Sequence, residues 1–499
     1  GLLGANRSRR PMILRTLAVM AFAAGLTSLA PPARAAAPVF TDKACPSDWP
    51  TDLREVRCGT LTVDEARDGS VSDRRIDIAV VIFKASAPYK DASGQALPPM
   101  VMFHGGPGGA LTPGAGRMLA ALRRNPEAFA VDQDVILFDQ RGGGASNPSM
   151  DCPGVELTDA GPPSDKDRDG LIACLKGYQA QGIDLNQYNA AAIADDVKDM
   201  AQALGLAKID LWGGSYGPRI EAAVITHQPQ IVRAAVMDSP WPPEGNWAVG
   251  TPEQVSAAVK IILAKCAAQA ACAAQHPDLQ ARFEVEARKW LAGPVTGKDG
   301  RTFTVDDLSA FLMDTTYSAT GVRSLPVDLD KIIAGDLTPV AEIAEDRTYY
   351  FEGQHMAHLC KEELPFESKA RLAAGAAGDP VAEVLVPSLS RLFDVCAAVG
   401  ERPALPIENL PVQTDIPTLF VAAEIDPGCP PPLTEAAAKG YSNSQVVIVT
   451  NATHGVINAS PCTRKMARDF LRDPSKPVDR TCLPAADTPL DFTLDAPAA

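Results

Sequence analysis

A serine framed by three glycines, in "GGSYG" at residues 213–217, is the first group in this 499-residue chain whose surroundings suggest chemistry. The G-x-S-x-G spacing is that of a nucleophile elbow, in which glycines relieve crowding at a sharp strand-to-helix turn and leave the serine Oγ exposed. A serine hydroxyl is a poor nucleophile until a base takes its proton, so Ser215 needs a histidine from elsewhere in the chain. The chain offers His104, His227, His276, His355, His358 and His454. Only His454, in "TNATHGV", follows the last long strand pattern, "QVVIV", where a serine–acid–histidine order puts the base. His227 falls in the helix after the elbow, and His276, His355 and His358 read as surface or packing histidines.

The acid should end the strand before that. "LFVAAEIDPGCPP" offers Asp426, which Pro and Gly turn out of the strand, and Glu424 two residues earlier. Asp426 is preferred because it stands at the loop, where it can hold the His454 ring in the right tautomer and stabilise the imidazolium. Acyl transfer also needs donors for the developing oxyanion, each worth about 3 kcal/mol. The loop "HGGPGG" at 104–109 supplies one from Gly106, and the N–H of Tyr216, next to the nucleophile, supplies the other. Neither "HGGPGG" nor "RGGGAS" carries the Lys-Ser/Thr ending of a phosphate cradle, so no nucleotide is expected. No Cys-x-x-Cys pair occurs and the histidines are not spaced as ligands beside cysteines, so the expectation is no metal and no cofactor.

These residues need a scaffold that brings distant strand ends together. "REVRCGTLTVDEA" and "RRIDIAVVIFKA" read as early strands, and "PMVMF" and "QDVILF" as buried strands running into glycine loops. An amphipathic helix is expected over Ala192–Leu206, with Ile193, Val197, Met200, Ala201 and Leu204 at spacings of three and four. It leads into the strand "KIDLW", the elbow, the helix "IEAAVITH" and the strand "VRAAVMDSP". Such alternation implies an α/β fold: a mostly parallel sheet with helices on both faces. Over 241–411 the alternation gives way to Ala-rich helical stretches, read as a helical cap domain inserted between core segments 36–240 and 412–499.

The start of the chain combines an arginine-rich segment, an apolar stretch from Thr16 to Ala30 and an A-x-A ending at Ala35. This reads as a bacterial-type export signal over residues 1–35 rather than a stable membrane insertion, because the run is shorter than the ~20 residues a span needs. "SRRPMIL" also fits a twin-arginine route to the periplasm or the extracellular space. The net charge of −15 argues against nucleic acid as a partner. Eleven cysteines in an exported chain imply disulfides. Proximity pairs Cys45 with Cys58, Cys152 with Cys174, Cys266 with Cys272, Cys360 with Cys396 and Cys462 with Cys482. Cys429 is left as a free thiol near the mouth of the site.

Taken in order, "HGGPGG", "DQRGGGAS", "GGSYG", "EIDPGCPP" and "THG" resemble the secreted proline iminopeptidase and tripeptidyl aminopeptidase family of α/β-hydrolases. The resemblance covers nearly all of the chain after residue 35 and implies the α/β-hydrolase fold with a helical cap. It gives Ser215, Asp426 and His454 the triad positions and the loop at Gly105 and Gly106 the oxyanion hole. It implies a peptidase acting on free peptide N-termini, releasing a tripeptide or a single residue such as proline. Such an enzyme needs a carboxylate for the substrate ammonium, and "MAHLCKEELPF" supplies Glu362 and Glu363, with Glu362 favoured. In "DQRGGGAS", Asp139 and Arg141 match a family signature read as a structural brace. Cys429 departs from the small hydroxyl residue that relatives often carry after the acid. A carboxylesterase or lipase using the same triad, and a binding protein without activity, are the competing functions.

Overall fold

The structure, a computed structural model, describes residues 36–127, 131–155, 164–345 and 350–495. The export signal expected over 1–35 lies outside the described residues. β-Branched and aromatic runs form β1 (Val39–Lys43), β2 (Val56–Asp64), β3 (Arg75–Phe83), β4 (Met100–Phe103), β5 (Val135–Phe138), β6 (Ile209–Gly214) and β7 (Val232–Asp238). A short hairpin, β8 (Val295–Thr296) and β9 (Thr302–Phe303), precedes β10 (Thr418–Ala423) and β11 (Ser444–Val449).

Nine of these strands make one sheet in the order β1-β2-β3-β5-β4-β6-β7-β10-β11. From β5 to β11 every neighbouring pair is parallel, whereas β1, β2, β3 and β5 pair antiparallel. The reason for the mixed edge is connection length. Only residues 65–74 separate β2 from β3, enough for a hairpin but not for the crossover a parallel pair requires. The inner strands β4 and β5 are almost wholly apolar and buried because helices cover both faces.

On one face the helices Ala190–Ala203 and Gly217–His227 press Ile193, Val197, Ile220 and Val224 against Val101, Phe103 and Leu211. On the other, Leu119, Met466 and Phe470 pack onto Leu137, Val236 and Val421. The first of these helices begins at Ala190, two residues before the periodicity suggests. Asn189 fixes the start, its side chain accepting from the Ala192 N–H as an N-cap.

Between β7 and β10 the chain is helical except for the β8–β9 hairpin, from Trp247–Ala267 to Val386–Val399. Its core is built on Val255, Phe283, Trp290, Leu312, Leu325 and Leu389, and it also takes in Leu171 and Leu175 of the helix Asp165–Ala180. The helical layer therefore draws on chain outside 241–411. The Cys152–Cys174 disulfide ties that extra helix to the segment before it.

All five disulfides join the pairs expected from proximity, with Cα–Cα distances of 5.0–5.8 Å. The Asp139 and Arg141 signature is a brace. Asp139 accepts from the backbone N–H groups of Leu111, Thr112 and Ala145. Arg141, fully buried, forms a bidentate pair with Asp196 at 2.7–2.8 Å and donates to three backbone carbonyls. Among the described residues no helix is long and apolar enough to cross a membrane.

Candidate active site

Ser215 sits between β6 and the helix Gly217–His227 with φ +61°, a left-handed conformation that a non-glycine residue adopts only when its surroundings enforce it. Two backbone bonds do so: Ser215 N–H donates to the Asp238 carbonyl and Trp241 N–H to the Ser215 carbonyl, both at 2.9 Å. The flanking glycines are required by space. A Cβ on Gly217 would lie 2.5 Å from the Phe103 carbonyl, and one on Gly213 would lie 2.9 Å from Glu221 Oε2.

The "HGGPGG" loop follows β4 and packs directly on this turn. A Cβ on Gly105 would come within 2.9 Å of the Gly214 carbonyl and 3.3 Å of Tyr216 N. The loop backbone and the Tyr216 amide are thus neighbours, as two donors to one oxyanion must be. Gly106, the expected donor, has φ +119° and lines the same cleft as Ser215.

Asp426 lies just beyond β10 and is buried. Its carboxylate accepts from the backbone N–H groups of Gly428 and Cys429 at 2.9 Å and faces His454 Nδ1 at 2.9–3.0 Å. Glu424, the rival acid, is instead paired with Lys265 at 2.6 Å. His454 follows β11 and lines the cleft with Ser215, its ring packed edge-on against Tyr317 at 4.8 Å. The Thr453 hydroxyl donates to the Thr316 carbonyl at 2.6 Å, tying the histidine loop to the helical layer.

Sequence reasoning missed several residues that hold this arrangement. Asp238, at the end of β7, accepts from Val456 N–H and Ile457 N–H at 2.9 Å, while Ser239 Oγ accepts from Gly455 N–H at 3.0 Å. The loop carrying His454 is therefore anchored to a neighbouring strand end. Burial pushes the Asp238 carboxyl above the ordinary range, and the two backbone donors oppose that shift. An acidic residue closing a strand in "VMDSP" was the available signal.

Of the two readings given to His355 and His358, surface or packing, the structure decides for packing: both are buried on the helix Glu352–Glu362. His355 Nδ1 faces the Pro107 carbonyl of the "HGGPGG" loop at 2.5 Å, and His358 Nδ1 faces the Tyr216 hydroxyl at 2.8 Å. Burial lowers His355 to about 4 and His358 to about 3, so both are neutral braces. Their signal was the spacing of three and four residues that sets His355, His358 and Glu362 along one helical face.

The two glutamates differ in what holds them. Glu362 Oε2 accepts from Ala190 N–H at 3.1 Å and lies 3.6 Å from the Arg219 guanidinium, so the favoured acid is already engaged. Glu363 Oε1 accepts from the Trp241 indole N–H at 3.0 Å, while Oε2 is buried without a hydrogen-bond partner. Burial raises both carboxyls well above the ordinary range. Neither side chain lines the cleft, but Trp241 does. Cys429 is free, as expected, yet it is buried rather than at the mouth. Burial and the Asp426 charge push its thiol up, and the Ser215 hydroxyl is within hydrogen-bonding reach of it.

The cleft encloses about 430 Å³ and is walled by Trp241, Trp247, Tyr317, Tyr350 and Met313. A turn-borne serine, a carboxylate–imidazole pair and a glycine loop stand together at the ends of parallel strands, an arrangement that fits the α/β-hydrolase fold. Residues 98–273 match the family model described as alpha/beta hydrolase fold, and residues 383–482 the model described as TAP-like protein. The chain thus has the α/β-hydrolase fold, and its C-terminal region is similar to the TAP-like family. The serine protease Hip1 of Mycobacterium tuberculosis (strain ATCC 25618 / H37Rv) and that of Mycobacterium bovis are 28% identical over 204 residues, 38% of this chain. The match spans 36% of the length of these curated relatives. Among solved structures, a proline iminopeptidase-related protein of Thermus thermophilus aligns with 84% of this chain and 97% of its own, at 15% identity and TM-score 0.37. A thermophilic esterase of Thermogutta terrifontis aligns with 82% and 97%, at 16% identity and TM-score 0.34.

Proposed function

We propose that this chain is an exported serine exopeptidase that releases a tripeptide, or a single residue such as proline, from free peptide N-termini. The observation that carries the reading is the Asp426–His454 pair facing a cleft that also holds Ser215 in its left-handed turn. Ser215 Oγ attacks the scissile carbonyl as His454 Nε2 takes its proton, and Asp426 holds the ring by its Nδ1–H and stabilises the imidazolium. The N–H groups of Gly106 and Tyr216 receive the oxyanion. His454 then protonates the leaving amine, and water, activated by the same ring, hydrolyses the acyl-enzyme.

Exopeptidase specificity would come from a carboxylate facing the substrate ammonium. Glu363 suits this better than Glu362, because one of its oxygens has no hydrogen-bond partner and the other accepts from Trp241, which lines the cleft. An ammonium brought beside that oxygen would draw the carboxyl into its charged form. The aromatic walls favour apolar side chains on the acyl side. Five disulfides support an oxidising destination outside the cytoplasm. The test is hydrolysis of free and N-acetylated peptide amides, with products identified by mass spectrometry, by the native chain and by Ser215→Ala. Activity on free substrates only, abolished by Ser215→Ala, is the expected result. Activity unaffected by Ser215→Ala would overturn the nucleophile, and equal cleavage of blocked peptides or a preference for simple esters would favour the carboxylesterase reading.

A further inference from the structure

The proposed acyl transfer does not use the Cys429 thiol, although that thiol stands inside the site. Ten of the eleven cysteines are paired in disulfides, which leaves Cys429 the only free thiol. One donor atom each from Asp426, Cys429 and His454 lie within 4.8 Å of one another. A carboxylate oxygen, a sulfur and an imidazole nitrogen form a donor set suited to zinc and to softer divalent cations such as cadmium. Zinc with ligands at 2.0–2.3 Å holds them about 3.5 Å apart, so the widest separation among the three donors needs to draw in by about 1 Å. Rotation of the His454 side chain, which is 18% exposed, can supply that movement while its anchored loop stays in place. Cys429 is fixed relative to Asp426 by its own N–H, which donates to Asp426 Oδ1.

We propose that Asp426, Cys429 and His454 form an inhibitory site for a thiophilic divalent cation; the inhibition rests on the triad reading of Asp426 and His454. On binding, the cation replaces the thiol proton, which passes to solvent. The sulfur, a ring nitrogen and a carboxylate oxygen fill three positions, and water or Ser215 Oγ takes the fourth. No oxidation state changes. Whichever ring nitrogen is used, catalysis stops: binding at Nε2 occupies the lone pair that accepts the serine proton, and binding at Nδ1 breaks the Asp426 hydrogen bond. The Cys-His spacing of ordinary zinc motifs does not reveal this site, because its histidine arrives from a different strand end.

The test is titration of the full chain with Cd²⁺, following the ultraviolet thiolate-to-metal charge-transfer band. Ser215 labelling by a fluorophosphonate is followed in parallel. Since Cys429 is the only free thiol, the band reports on it alone. The expected result is a band that saturates at one equivalent, labelling that falls in step, recovery with a chelator, and displacement of Cd²⁺ by Zn²⁺. Cys429→Ala and Cys429→Ser should show no band and require at least 10–100-fold or so more cation to block labelling, each measured against its own metal-free rate. The absence of a band in the native chain, or equal sensitivity in both variants, would overturn the site. A band with no fluorophosphonate labelling even without metal would leave the site standing and refute the nucleophile instead.

Discussion

Replacing Asp238 by asparagine should damage catalysis without altering Ser215, His454, Asp426 or the two oxyanion donors. The native carboxylate offers an oxygen to each of two loop donors, Val456 N–H and Ile457 N–H, both at 2.9 Å. Asparagine keeps one carbonyl oxygen and turns an NH₂ toward the other donor. One charge-assisted bond is lost and a buried N–H is left unpaired, at a combined cost of about 2–4 kcal/mol. The cost falls on the segment that begins at His454, so the imidazole should shift relative to Ser215. A displacement of about 1 Å in a catalytic group lowers turnover by roughly 100-fold. The assays are urea unfolding, kcat and KM on an unblocked peptide amide, and the rate of fluorophosphonate labelling. The expected pattern is reduced stability, kcat and labelling rate lowered together, and KM nearly unchanged. Lost stability with kcat and labelling within about twofold of the native chain would show that the Asp238 anchor does not position His454.

Gly105→Ala should reduce kcat far more than stability, because the new methyl would sit 2.9 Å from the Gly214 carbonyl and 3.0 Å from Ser215 Cβ; native labelling kinetics in this variant would contradict the contact. His355 gives a pH prediction. Its folded-state pKa is lowered to about 4, mainly by burial. Its neutral form therefore contributes in full above the unfolded value of about 6.5, and that contribution is lost as pH falls toward 4. At pH 5 the loss is about 2 kcal/mol, so the stability gap between the native chain and His355→Gln, measured by denaturant unfolding, should narrow by that amount between pH 7 and pH 5. A gap independent of pH would mean that the imidazole is not held neutral.

Much of the site was legible in the sequence because each part answers a local constraint. Ser215 needed glycines at the turn, His454 needed a strand before it, and Asp426 needed Pro and Gly after it. Proximity was likewise enough to pair ten cysteines, since each partner lies within 36 residues.

What failed depended on side chains meeting across the fold. His355 and His358 read in sequence as surface or packing histidines, and only the packing of their helix on the "HGGPGG" loop and Tyr216 shows what they brace. Glu362 and Glu363 are adjacent and chemically identical, yet Arg219 and Ala190 engage one while the other keeps an oxygen unpartnered. The antiparallel edge of the sheet was hidden because alternation alone does not give strand direction. The sequence by itself singled out the candidate serine, acid and histidine and the strands that carry them, because those depend on turn geometry and periodicity along the chain. The tertiary structure alone decided which buried charges are neutralised, which loop Asp238 holds and how Cys429 comes to lie beside Asp426 and His454, because those depend on atoms distant in sequence meeting where water is excluded.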